Sequence, residues 1–187
     1  MKLLFVFAMS ALSFINVNGQ GRLNADTQKS TLEWLGEKVT GKHTGTIKLQ
    51  SGWLVIENNR ITSGEFLVDM KTIRDNDGLT RLEEHLRSDD FFSVEKFPVT
   101  RLVITGSDSF EKGTATVRGT LTIKGITNPL EFTAAMQKKD DGVWFYSNIA
   151  VDRTKYNVRY GSGKFFENLG DKIIYDDFKL KVALLVK

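Results

Sequence analysis

From residue 46 onward the chain alternates apolar and polar positions with a period of two, the signature of strands with one buried face. Residues 46–57 and 60–72 are two such runs, joined at Asn58-Asn59, a pair that suits a tight hairpin because Asn tolerates positive φ. In the second run Phe66, Val68 and Met70 share one face, and Glu65, Leu67 and Asp69 share the other. Further runs are predicted at 99–105, 114–124, 129–137, 143–152 and 172–187, and 30–36 brings the count to about eight strands. The last run places Ile174, Phe178, Leu180, Val182, Leu184 and Val186 on one side, with Asp176 interrupting that side near its start. Gly113, residues 125–129 and residues 140–142 supply turns between the runs. One segment departs from the pattern. In residues 78–86, Leu79, Leu82 and Leu86 fall at i, i+3 and i+7, which predicts a short helix capped by Asp77 or Thr80. An antiparallel sheet of long strands with one apolar face must bury that face, and closing it into an eight-stranded barrel also removes its edges.

The opening of the chain does not belong to this pattern. Met1-Lys2 is followed by an almost unbroken apolar stretch to Ile15 and then by Val17-Asn18-Gly19. That is the pattern of a secretory signal peptide over residues 1–19, too short to span a bilayer comfortably, leaving a domain of residues 20–187 without a transmembrane segment. Removing one Lys and no acid takes the net charge from +3 to +2. The remaining basic residues are interleaved with acids, so no nucleic-acid footprint is expected. There is no Cys, which excludes disulfides, thiolate metal sites, thiol catalysis and a lipoprotein anchor. With His43 and His85 as the two histidines, a three-imidazole site is also excluded.

The polar clusters carry little chemistry by themselves. Asp75, Asp77, Asp89 and Asp90 flank the helix, where acids ordinarily cap and solvate. Residues 75–78 have the look of a calcium loop, but the terminal acid is missing because position 86 is Leu, so no metal site is assigned. His43 stands in a glycine-flanked turn and no nucleophile has a partnered base. Gly161-Ser162-Gly163-Lys164 lacks the upstream glycine and the following Ser or Thr of a phosphate loop. The distinctive feature is apolar. Three of the 13 Phe lie in the leader, and the other ten are concentrated near the helix and on inward strand faces. Barrels of eight strands are filled by side chains or hold one ligand.

Several segments in order resemble the YceI-like family: residues 64–70 (GEFLVDM), 86–98 (LRSDDFFSVEKFP), 119–127 (GTLTIKGIT), 152–158 (DRTKYNV) and the closing strand at 173–186. The resemblance implies an all-β fold with a short helix, an eight-stranded antiparallel lipocalin-like β-barrel. It also implies export to the periplasm and, without catalysis or cofactor, the holding of a polyisoprenoid or similar long amphiphile inside the barrel. Two departures, Thr44-Gly45 after His43 and Tyr156-Asn157 in place of the usual Phe-Gly, put polar groups near the expected rim. Strand parity selects Trp34, Phe66, Met70, Leu102, Ile104, Leu121, Phe132 and Phe178 as cavity lining. Phe91, Phe92 and Tyr156 are expected near the entrance, and His43 and Arg153 at a polar head group. The expected role is that of a carrier or reservoir for an isoprenoid-type lipid, with a homodimer compatible. Two alternatives stand beside it: a stress-related interaction module with a filled core, and a lipid- or sugar-modifying enzyme using His43 or the Asp75/Asp77 group.

Overall fold

The computed structural model describes residues 21–187, so the leader read at 1–19 lies outside the described residues. Its elements run β1 (Arg22–Asn24), β2 (Thr31–Lys38), β3 (Gly41–Glu57), β4 (Arg60–Asp75), α1 (Thr80–Arg87), β5 (Val99–Ser107), β6 (Thr114–Ile123), β7 (Ile126–Lys139), β8 (Gly142–Asp152) and β9 (Asp177–Val186). The hairpin at Asn58-Asn59 forms as the sequence predicts, with φ of 49° and 57° at its two central residues. Positive φ at both positions gives the turn whose twist matches that of the flanking strands. Lys124 and Gly125, at φ 51° and 74°, repeat this geometry between β6 and β7.

Every neighbouring pair of strands is antiparallel, and β4 returns to pair with β3, so the sheet closes on itself. Eight positions around the barrel accommodate nine strands because β1 and β2 share one position between β3 and β9. β1 pairs with residues 53–55 of β3 and β2 with residues 41–47. On the other side Asn24 and Lys187 exchange backbone hydrogen bonds at 2.8 and 3.0 Å. The break between them is a turn in which the Asp26 carboxylate accepts from the amides of Gln28 and Lys29, both at 3.1 Å. Three register shifts along the 17-residue β3 and 16-residue β4 let these long strands coil around the core rather than run flat.

Two boundaries differ from the sequence reading. Neither Asp77 nor Thr80 caps α1. Its N-cap position is Leu79, which makes no side-chain cap, while the Asp75 carboxylate accepts from the amides of Asp77 at 3.1 Å and Leu79 at 3.2 Å. One oxygen thus folds the entire approach to the helix. Of the predicted leucine stripe, Leu86 is buried, Leu82 half-buried and Leu79 exposed. The last strand begins at Asp177 rather than at 172, because the carbonyls of Ile174 and Tyr175 are taken by the Arg153 guanidinium at 2.9 and 3.1 Å. Carbonyls held from the side in this way are not available to a regular ladder.

Candidate functional site

The barrel is hollow. By parity Val68, Leu102, Phe132, Leu180 and Val182 all point inward, yet each keeps an intermediate exposure instead of the near-zero value of a packed core residue. Their exposed area faces space inside the barrel. That space has two lobes of about 120 Å³ each. Each is several times the space that one buried water needs. They share Leu32, Val68, Thr100, Leu121 and Leu180, which form a waist between them. Phe178 and Leu184 line opposite lobes of β9 and are six residues apart, a span of about 20 Å along the strand.

The inner lobe has no exposed lining residue. It is walled by Phe66, Leu102, Ile104, Phe132 and Phe145 among others. Phe110 packs edge-on to Phe145 there, with ring centroids 5.6 Å apart. The outer lobe, under α1, contains Trp34, Met70, Leu86, Phe91, Phe92, Arg153 and Phe178, together with the exposed Tyr175 and Asp177. This is the mouth. Polar side chains are confined almost entirely to it, with Thr100 and Ser147 the exceptions deeper in. Trp34 is kept apolar toward the cavity because its indole N–H donates to the Arg74 carbonyl at 3.1 Å. The ring crosses β3 at Gly45, where any Cβ would overlap both it and that carbonyl.

A chain of aromatic rings runs from the surface to the cavity. Exposed Tyr160 meets His85 edge-on at 4.4 Å, His85 meets Phe91 at 5.7 Å, Phe91 meets Phe92 at 5.1 Å, and Phe92 meets Phe178 at 6.3 Å. Arg153 lies 5.6 Å from the Phe91 centroid with its side chain only 2% exposed. Its guanidinium donates to the carbonyls of Val158, Ile174 and Tyr175. Burial pushes its pKa down, an effect opposed by Asp176 and Asp152. Burial also raises the pKa of the Tyr156 phenol, with the Asp152 charge adding to it. At Asp152 burial favours the neutral acid, but bonds from Thr154 and Lys164 outweigh it and hold the carboxyl below its ordinary value. Lys164 bridges Asp152 and Asp176 at 3.1 Å each, beside the mouth.

Of the residues singled out in the sequence, Trp34, Phe66, Met70, Phe91, Phe92, Leu102, Ile104, Leu121, Phe132, Arg153 and Phe178 stand around this space. Tyr156 and His43 do not line it. Tyr156 is buried in the core at 2% exposure, and His43 sits outside the lining, beside Asp75. Parity could have added Val68, Leu180 and Val182, which share faces with residues already chosen. Ile174 also stands on the inward side of the predicted last run, whereas Tyr175 carries no such signal, because it lies on an irregular segment that precedes β9.

Residues 23–185 match the YceI-like domain. The chain belongs to the YceI family. A UPF0312 protein of Pseudomonas fluorescens strain SBW25 is 30% identical over 124 residues, covering 66% of this chain and 65% of its own. A UPF0312 protein of Pseudomonas putida strain W619 is 30% identical over 100 residues, and the chain spans about half of its length, 52%. Among solved structures, BcnA of Burkholderia cenocepacia superposes with a TM-score of 0.73 at 19% identity, covering 87% of this chain and 99% of that one. A polyisoprenoid binding domain from Saccharophagus degradans, described as implicated in plant cell wall breakdown, superposes with a TM-score of 0.68 at 15% identity, covering 88% and 97%. The YceI barrel is thus the fold of this chain, and among the described residues no helix is long and apolar enough to cross a membrane.

Proposed function

We propose that the protein is an exported lipid-binding protein that holds one polyisoprenoid or similar long amphiphile lengthwise in its barrel, as a carrier or reservoir in the periplasm. The observation that carries this reading is the hollow, almost wholly apolar interior with its polar side chains gathered at one end. An apolar chain gains roughly 25 cal/mol for each Å² it buries. Burial of some 400 Å² would supply about 10 kcal/mol, enough to meet much of the cost of ordering a flexible guest. Such a ligand needs few directional contacts along its length, and the cavity offers few. Its polar end would rest among Tyr175, Asp177 and the edge of Arg153. The polyisoprenoid-binding description of the Saccharophagus degradans domain supports the ligand class. The segment at 1–19 supports export.

The reading is of a binding protein rather than an enzyme. His43, Asp75 and Asp77, the groups an enzyme reading would need, lie outside the cavity lining. Native mass spectrometry of protein recovered from a periplasm, followed by lipid extraction, tests the proposal. A bound mass in the range of a long-chain isoprenoid, absent from a Phe178→Arg variant, is the expected result. A barrel that carries no lipid and takes up none from an isoprenoid suspension would overturn it.

A further inference from the structure

We propose that His43, Asp75 and Asp77 form a binding site for a divalent cation of the zinc or manganese type at the rim of the barrel. Their donor atoms lie within 4.8 Å of one another, although His43 is 32 residues from Asp75 in the chain. His43 Nδ1 and Asp75 Oδ2 are 3.8 Å apart, too far for a hydrogen bond between them. Both atoms are buried, and neither has a hydrogen-bond partner among the described residues. The Asp75 side chain is 0% exposed. A buried carboxylate oxygen and a buried ring nitrogen that face each other unpaired are costly as they stand. A cation between them satisfies both.

The neighbouring residues aim these atoms. Asp75 Oδ1 is committed to the amides of Asp77 and Leu79, which turns Oδ2 toward the histidine. Outer bonds of this kind are what orient ligands in metal sites. Arg74 and Arg87 approach Glu83 at 3.6 Å each. The loop is already fastened to β3, since Asn76 donates to Thr44 through its backbone amide at 2.9 Å and its side chain at 3.1 Å. A separation of 3.8 Å needs to close by only a few tenths of an ångström for two ligands about 2.1 Å from one ion. One imidazole and two carboxylates make a borderline-to-hard donor set. It lacks the sulfur that copper(I) selects and the six or more oxygens that calcium takes. The exposed Asp77 leaves the outer coordination positions to water.

The sequence alone assigns no metal here, because the residues read linearly as an incomplete calcium loop; the pairing of β3 with β4, Gly45 opposite Asp75, brings His43 to that loop and changes the reading. A bound ion would tie β3 to the turn that leads into α1, whose Leu86 lines the outer lobe. The test uses the chain purified without a histidine tag and stripped with a chelator. Zinc chloride, then manganese chloride, is titrated calorimetrically, and thermal unfolding is followed in parallel. One ion per chain is expected, with a rise in Tm of about 5–10 °C at a hundredfold excess over Kd. His43→Gln and the exposed Asp77→Asn should each weaken binding by about tenfold or more, while Asp89→Asn leaves it unchanged. Absence of stoichiometric uptake of either metal by the parent chain, or equal uptake by the His43→Gln and Asp77→Asn variants, would overturn the assignment.

Discussion

Arg153 places a guanidinium in a setting where almost no water reaches it, and every visible contact explains how it stays there. Three of its N–H groups reach backbone carbonyls, and Asp176 stands 3.8 Å away. Replacing it with Met should lower stability by about 3 kcal/mol, because three carbonyls lose their donors together and Asp176 is left with Lys164 alone. Urea denaturation checks this; an unchanged midpoint would contradict the role given to the guanidinium. The role was not legible in the sequence, since the carbonyls it holds are 5, 21 and 22 residues away. Tyr156 gives a pH prediction. Its pKa is raised above the ordinary 10.0 by burial, so in alkali the unfolded chain releases this proton before the folded one does. Its contribution is therefore complete below pH 10 and is lost as pH rises through the higher folded value. Unfolding free energies measured at about pH 9 and pH 11 should fall less in Tyr156→Phe than in the parent chain.

At the scale of elements, the turn between β6 and β7 shows how strictly a hairpin constrains its residues. Gly125 has φ of 74°, and a Cβ built there would stand 3.1 Å from the Phe97 ring. Gly125→Ala should cost about 1–2 kcal/mol, seen as a Tm lowered by about 2–8 °C with no change in fold by circular dichroism. Elements of this kind are legible from sequence because their causes are local. Residues 46–57 and 60–72 predicted β3 and β4 by alternation, and Asn58-Asn59 marked their hairpin. Where causes are distant, the sequence reading falls short. The start of β9 moved to Asp177 because Arg153 holds the preceding carbonyls. The cap of α1 moved to Leu79 because Asp75, on β4, organises the turn. The sharing of one barrel position by β1 and β2 had no linear signal, since it depends on a three-residue strand reaching Lys187.

For the molecule as a whole, eight closed positions leave no long edge strand among the described residues, and part of the interior is left as space within a packed apolar core. A barrel emptied of its ligand should therefore be less stable than the loaded one, by RT ln(1 + [L]/Kd). Thermal scans before and after organic extraction check this, with equal Tm values speaking against an internal ligand. The waist gives a sharper test. Leu121→Trp fills the passage between the lobes, at a stability cost of about 1–3 kcal/mol. It should abolish retention of long-chain isoprenoids while sparing short ones confined to the outer lobe, as read by the masses that co-purify. The exposed lining residues, Tyr175 and Asp177, are both at the α1 end, and Phe110 backs Phe145 at the other. In the proposed function a guest would enter there tail first and leave head first. On the carrier reading proposed above, donor and acceptor would meet the same face of the protein, and pick-up and delivery would be successive visits.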